Sequence, residues 1–521
     1  MPLYLGFDCG TQSLGVIVLD ADDARRDVVF ERALEFDRDF PEFETRGGVL
    51  RSDDALVVHA PPLLWVEALD RAMALVARES GLDLSRVAAI SGSAQQHGTV
   101  YLDAAAATAL DRADSGRPLA AQLENVFSRP TAPVWMDAST RAECHEITAG
   151  LGGPEAVARL TGSRATERFA GPQIRKFWRR DPAGYARTHR VHLVSSFLAS
   201  LLAGRHAGVD RGDGSGMNLM DLAAGEWAPR ALDATAPDLA KKLPPLVPSW
   251  SDAGTLAPYW MKRYGFPAAR VIVWSGDNPC SQVGTGLIGT DRIGISLGTS
   301  DTVFAPLGAP AFDPSGSGNV FGSPAGGFLS LVCCRNGSLA RERVRDEAGL
   351  DWAGFSAALR STPAGNRGAI MLPWFEPEVT PPVATPGARA WGLDPTDRAA
   401  RVRAVVEGQM LALALHSRWM GVTPAVIHAT GGAAANREIL RVMAEVWNAE
   451  VDQLAVGNSA CLGAALRAFH GDRAAAGQPL SWKDVIEGFV TPVHRVRPDP
   501  GHVAVYKDVL KLYAALEAEA L

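Results

Sequence analysis

Asp277 and Asn278 stand side by side in Ser275-Gly276-Asp277-Asn278-Pro279, directly after a strongly apolar run. A carboxylate at the tip of a buried strand can accept a hydroxyl proton, and the amide beside it can fix the same substrate by hydrogen bonds. Taken alone, the string also reads as an Asx turn. Ser93-Ala94-Gln95-Gln96-His97-Gly98 follows another short apolar run. Its Gln and His side chains offer donors and acceptors to a polyol, and no second His or Cys stands close enough in sequence to His97 to suggest a metal. Arg164 and Arg168, in Gly162-Ser163-Arg164-Ala165-Thr166-Glu167-Arg168-Phe169, are candidates through this company; by themselves they read as solvated or salt-bridged charges.

A second kind of chemistry is carried by a motif that occurs twice. Leu5-Gly6-Phe7-Asp8-Cys9-Gly10-Thr11-Gln12-Ser13 returns 288 residues later as Ile293-Gly294-Ile295-Ser296-Leu297-Gly298-Thr299-Ser300-Asp301. Each copy alternates apolar and small residues and ends in a Gly-Thr turn, whose backbone N–H groups and hydroxyl suit a phosphate chain. Asp8 would repel phosphate unless a cation lay between, so its natural task is to hold Mg²⁺; otherwise it orders the turn. The second copy has Ser296 there, leaving one metal-side carboxylate. Ala429-Thr430-Gly431-Gly432-Ala433-Ala434-Ala435-Asn436 lets backbone approach a ligand and then opens a helix, an arrangement suited to adenosine or its phosphates.

The elements that must position these residues alternate between two periodicities. Residues 87–91 and 271–275 read as buried strands of an α/β sheet, and Leu63 to Ala77, ahead of both, as a helix. In the second half, Val402 to Met420 reads as a helix stopped by Gly421. A strand at Val426 to Ala429, a turn at Thr430-Gly431-Gly432, and helices at Asn436 to Trp447 and Ser459 to Phe469 follow. Prolines between Pro373 and Pro386 predict a surface loop. Gly284-x-Gly286-x-x-Gly289 matches a dinucleotide fingerprint as a string, but it precedes a strand and opens no helix. The domain boundary is placed in that passage, giving domains 1–288 and 289–521.

At 521 residues the chain is too long for one ordinary core, and 47% hydrophobic with 21% charged residues is the balance of a folded enzyme. A formal net charge of −7 argues against nucleic-acid or anionic-membrane partners. Six scattered cysteines form neither a disulfide framework nor a zinc site, and the apolar stretch Val191 to Ala203, broken by three serines, is too short to span a bilayer. A cytoplasmic monomer or homodimer is expected.

Together these strings resemble the FGGY carbohydrate kinases over nearly the whole chain. The likeness includes Phe36-Asp37-Arg38-Asp39, Pro41-Glu42-Phe43, Pro133-Val134-Trp135-Met136-Asp137, Gly212-Asp213-Gly214-Ser215-Gly216-Met217-Asn218 and Asn336-Gly337-Ser338-Leu339. The resemblance implies an α/β fold of two ribonuclease H-like domains of the actin and hexokinase superfamily, with sugar and ATP in a central cleft that closes. Within the family the Gln95-Gln96-His97-Gly98 form and the Arg168 context resemble the eukaryotic-type branch acting on D-xylulose. The resemblance implies that His97, Arg168, Asp277 and Asn278 hold the ketose, with Asp277 as the base. Gly10, Thr11, Gln12, Gly298, Thr299 and Ser300 would face the phosphates of ATP, and Gly431, Gly432 and Asn436 the adenosine, with Trp352 against base or ribose. Two departures stand out: Gly15 where many relatives carry Lys, and Cys280 and Gln282 in place of smaller residues, which bear on the shape of the sugar site. Another ketose or polyol is an alternative substrate, and an actin-like, nucleotide-switched binding protein is an alternative class.

Overall fold

The structure, a computed structural model, describes residues 2–22, 26–454 and 457–521. It divides into two compact units, one comprising Met1–Ile288, Val320–Phe328 and Gly457–Val490, the other Gly289–Asn319, Leu329–Val456 and Thr491–Leu521.

In the first unit β1 (Leu3–Cys9), β2 (Ser13–Ala21) and β3 (Arg26–Glu35) form an antiparallel meander. The helix α1 (Pro62–Glu79) leads to β4 (Val87–Ala94), which pairs parallel with β1 so that Asp8 lies opposite Ser93. After α2 (Val194–Ala203) come β5 (Asp252–Thr255), β6 (Arg270–Ile272) and β7 (Ser275–Gly276), then α3 (Asp277–Gly284). The sheet runs β5-β6-β4-β1-β2-β3, with β7 beside β4. The expected strand 271–275 is therefore interrupted at Val273 and Trp274. Trp274 turns inward to stack on Phe7, ring centroids 5.8 Å apart. Gly92 makes the room, since a Cβ there would fall 2.0 Å from the indole. β1 and β2 are buried along nearly their whole length, Asp20 included, because this mixed sheet is covered by helices. One cover is α1, through Leu64, Trp65, Leu69, Met73 and Val76.

The second unit repeats the plan. β8 (Arg292–Leu297) and β9 (Asp301–Leu307) are antiparallel, β10 (Phe328–Cys334) lies beyond β9, and α4 (Ser338–Glu347), α5 (Trp352–Ser361) and α6 (Arg398–His416) follow. β11 (Val426–Thr430) pairs parallel with β8, placing Ser296 opposite Thr430 as Asp8 is opposite Ser93. α7 (Arg437–Trp447) and β12 (Glu450–Leu454) complete the core. The duplicated motif is thus duplicated topology. The proline-rich stretch is not simply a surface loop: Pro373, Trp374 and Glu378 are buried, and Glu378 accepts hydrogen bonds from the backbone of Arg335 and Asn336.

Next along the chain, α8 (Ser459–Ala475) belongs to the first unit, where it packs on β1 and β4. Its small residues permit close approach: a Cβ on Gly6 would lie 2.4 Å from the Ala465 nitrogen. Arg467, fully buried, donates to the carbonyls of Gly92, Ser249 and Val273 at 3.2, 3.0 and 2.9 Å. β13 (Pro492–Val496) and α9 (Pro500–Ala520) return to the second unit, where the sheet order is β10-β9-β8-β11-β12-β13. No helix among the described residues is long and apolar enough to cross a membrane.

Candidate active site

In the first unit, the loop after β4 and the start of α3 bring Gln96, His97, Asp277 and Asn278 together. Asn278 Nδ2 donates to Gln96 Oε1 at 2.8 Å and leans on Asp277 Oδ1 at 3.2 Å; the Asn278 backbone N–H donates to the same Asp277 oxygen at 2.8 Å. Asp277 is the first residue of α3, with Gly276 before it in extended conformation. Burial, then the negative charge of Asp8, push its carboxyl up to about 7, against the pull of backbone N–H groups. A base held near neutral pH is suited to taking a proton from a hydroxyl.

His97 has a positive φ of 72°, a strained backbone for a non-glycine residue. The conformation turns its ring onto Phe169, 4.2 Å between centroids, and sets Nδ1 2.8 Å from the Gly216 carbonyl. Burial and the Arg168 charge lower its pKa to about 3, so the imidazole is neutral near pH 7. A neutral ring bonded to a carbonyl through Nδ1 donates from that nitrogen, which leaves Nε2 as an acceptor for a hydroxyl. Arg168 is exposed and makes no hydrogen bond or ion pair among the described residues.

Asp213, in the run Gly212–Asn218, has no role that sequence alone assigns. Asp213 is buried beneath this cluster, receives the Ser195 hydroxyl on Oδ2 and leaves Oδ1 without a partner. Burial raises it to about 8, partly offset by Ser195 and raised further by Asp210 and Asp277. The glycines here are spatial requirements: a Cβ on Gly276 would lie 2.4 Å from Gln96 Cγ and 2.8 Å from Asp213 Oδ1. Phe169 and Phe321 were also missed; Phe169 adjoins Arg168 in sequence, whereas nothing local marks Phe321.

At the first Gly-Thr turn, Gln95 Nε2 reaches the Gly10 carbonyl at 3.4 Å, Thr11 Oγ1 accepts from Trp135 Nε1 at 2.8 Å, and the Gln12 carbonyl accepts from the Phe36 N–H at 2.9 Å. Asp8 Oδ1 is buried with no hydrogen-bond partner, and burial raises the carboxyl, offset in part by Ser93. An orphaned carboxylate oxygen beside a phosphate-type turn fits a divalent cation held by one protein oxygen with phosphates and water. Among the described residues there is no group of three or more His, Cys, Asp or Glu that could hold a metal without such help. Gly15 lies in β2 opposite Asp8, where a Cβ would fall 3.1 Å from Asn458 Nδ2. Cys280 and Gln282 do not shape the sugar cluster: Cys280 packs against Ala460 and Ala464, and Gln282 donates to the Leu287 carbonyl at 3.0 Å.

The second unit holds a cavity of about 730 Å³. Gly298, Thr299, Trp352, Gly432 and Asn436 line it; Ser300 and Gly431 do not. Gly431, at φ 86°, instead fits beneath Leu297, where a Cβ would meet the carbonyl at 2.5 Å. Asn436 caps α7, accepting from the Glu438 N–H at 3.0 Å and donating to Ser356 Oγ at 2.9 Å. Trp352, 43% exposed, carries the Arg345 guanidinium 4.5 Å from its ring centroid. Nothing local in the sequence marks Arg341, which is fully buried on this wall. It donates to both oxygens of Asp301, at 2.6 and 3.0 Å, and to Gln409 at 2.9 Å, bracing the Gly298-Thr299 turn from below.

Models of the FGGY family of carbohydrate kinases match residues 129–284 for its N-terminal domain and 293–471 for its C-terminal domain. The chain belongs to that family. Among curated relatives, xylulose kinase of Mus musculus is 42% identical over 99% of this chain and 94% of its own length, and xylulose kinase 2 of Arabidopsis thaliana 39% over 90% and 87%. A ligand-bound xylulose kinase from Lactobacillus acidophilus superposes with a TM-score of 0.82 at 18% identity, covering 100% of this chain and 98% of that one. The chain therefore shares the fold of that kinase, an α/β fold as the sequence led us to expect.

Proposed function

We propose that the protein transfers the γ-phosphoryl group of Mg-ATP to the terminal hydroxyl of D-xylulose, with Asp277 as general base, giving D-xylulose 5-phosphate and ADP. The observation that carries this reading is the half-buried Asp277, tuned to about 7 and fixed to Asn278 and Gln96 in a hydrogen-bonded cluster. The full-length relatives named xylulose kinase favour the ketose. His97 Nε2, Arg168 and Asn278 would hold the sugar hydroxyls, and Asp277 would take the proton as the oxygen attacks. Gly10, Thr11, Gln12, Gly298, Thr299 and Ser300 would face the phosphates, and Trp352, Gly431, Gly432 and Asn436 the adenosine. Asp8 would hold Mg²⁺, which when bound neutralises phosphate charge. Positioning and charge neutralisation then supply most of the rate.

An ATP-coupled assay across D-xylulose, L-xylulose, D-ribulose, L-ribulose and glycerol tests the reading. D-xylulose is expected to give the highest kcat/KM; a different preferred acceptor would move the substrate, and ATP turnover indifferent to all five would favour a nucleotide-switched binding protein. The closure expected from the family resemblance requires reciprocal coupling: ADP should tighten ketose by the same factor that ketose tightens ADP, about 1–3 kcal/mol. Independent binding in both directions would remove it.

His97→Ala and Arg168→Ala should weaken ketose by about 1–3 kcal/mol each while leaving nucleotide affinity alone. Calorimetry showing the reverse pattern would exchange the roles of the two sites. Asp8→Asn should raise the Mg²⁺ concentration needed for half-maximal rate, because an amide binds the cation poorly. Superimposable Mg²⁺ titrations of variant and parent would make Asp8 a turn residue.

A further inference from the structure

The first unit contains another cavity, of about 250 Å³, that none of Gln96, His97, Arg168, Asp277 and Asn278 lines. Its walls are mostly apolar, with Met220, Leu222 and Phe328 inside and Trp250, 46% exposed, among the lining residues. One cation faces it, Arg211. Arg341 and Arg467 spend their guanidinium groups on carboxylates or carbonyls. Arg211, by contrast, makes no side-chain hydrogen bond or ion pair among the described residues. Gly225, at φ 66°, keeps the space over the guanidinium clear, since a Cβ there would lie 3.1 Å from Nε.

We propose that this cavity is a second binding site, for a small organic anion that sets its anionic oxygens on Arg211 and a compact apolar body against Met220, Leu222, Phe328 and Trp250. The site is joined to the ketose cluster by covalent and hydrogen-bonded neighbours. Gly322, which lines the cavity, lies against the Arg211 carbonyl and donates its N–H to Ser215 Oγ at 2.9 Å, and Ser215 donates to the Gly212 carbonyl at 2.7 Å. The same two segments carry Gly216 against His97, Asp213 beside Gln96 and Asp277, and Phe321 at 6.4 Å from the His97 ring. Occupancy therefore alters ketose affinity, a consequence that rests on the ketose reading, whereas binding itself does not.

Calorimetric titration of the full chain with phenyl phosphate, benzoate and inorganic phosphate tests binding first, with saturating ADP to fill the nucleotide cavity. Saturable binding of phenyl phosphate or benzoate is expected, retained in Arg168→Met and weakened at least about tenfold in Arg211→Met, the loss of one charge-assisted contact. Whichever of the two binds more tightly identifies the anionic group. Trp250→Ala, which leaves the cation in place, should weaken the same ligand. No saturable binding by either aromatic anion, unchanged binding in Arg211→Met, or inorganic phosphate binding as tightly as phenyl phosphate would each overturn the site. The ketose KM should then shift on adding the tighter anion in the parent and not in Arg211→Met; a constant KM with proven binding would overturn the coupling.

Discussion

Asp277→Asn is expected to leave a folded protein whose kcat is lower by roughly 10²–10⁴-fold, the usual contribution of a positioned base. The amide keeps the shape and the hydrogen bonds at the head of α3 but cannot take a proton, so ketose affinity should change far less than turnover. The pH profile of the parent adds a second check. Asp277 must be ionised to act, and burial and Asp8 hold it at about 7, so kcat/KM should fall as pH drops through that value. Asp8→Asn removes the like charge and should move that acid limb to lower pH. The same shift links to stability. A carboxyl whose folded value lies above its ordinary 3.8 gives stability that is fully present below 3.8 and is lost as pH rises through about 7. Asp277→Asn should therefore resist denaturant better than the parent above neutral pH. Near-normal kcat in a folded variant would dismiss Asp277 as the base, and an acid limb unmoved in Asp8→Asn would dismiss the charge coupling.

The second large effect is structural and falls in the other unit. Arg341→Met should destabilise the fold by about 3–5 kcal/mol, the cost of leaving one member of a buried ion pair uncompensated. Asp301 is 1% exposed and burial already raises its carboxyl, with Arg341 the principal counterweight. Without that counterweight it protonates more readily, so the deficit should shrink in acid and widen as pH rises. Because Arg341 also braces the Gly298-Thr299 turn, ADP affinity should fall while ketose affinity is kept. Asp301→Asn combined with Arg341→Met should recover part of the stability, since it removes the stranded charge. Denaturant unfolding across pH reads all of this; a loss below about 1 kcal/mol, flat with pH, would show the pair to be dispensable.

What could be read from the sequence was local and periodic. The helix 63–77, the strands around 87–91 and 426–429, and the turn at 430–432 announce themselves through apolar spacing and glycine. The paired Gly-Thr motifs also disclosed the repeat, because the same strand-turn-strand geometry demands the same small residues twice. The unreadable parts are those made by distance. Asp213 meets Gln96 only through the tertiary fold, and Phe321 reaches His97 from more than 200 positions away. Arg341 looks like any helical arginine until Asp301 and Gln409 close around it. The break at Val273-Trp274 was hidden for a related reason: an unbroken apolar run does not reveal which residue will leave the ladder to fill a gap opened by Gly92.

The placement of α8 has a bearing on how the chain is made. A ribosome releases β1 and β4 early, but the helix that covers them emerges only after the whole of the second sheet's parallel core has been synthesised. Until Arg467 arrives, the carbonyls of Gly92, Ser249 and Val273 lack their guanidinium, and the shallow bed around Gly6 is open. An unfinished chain thus presents an apolar, strand-rich face for much of its translation, the kind of surface that invites association between nascent copies. Expression trials that cut the gene at the apparent domain boundary would make that transient condition permanent. A fragment intended to isolate the ketose half must carry Ser459–Ala475 with it, joined by a linker or supplied as a separate peptide.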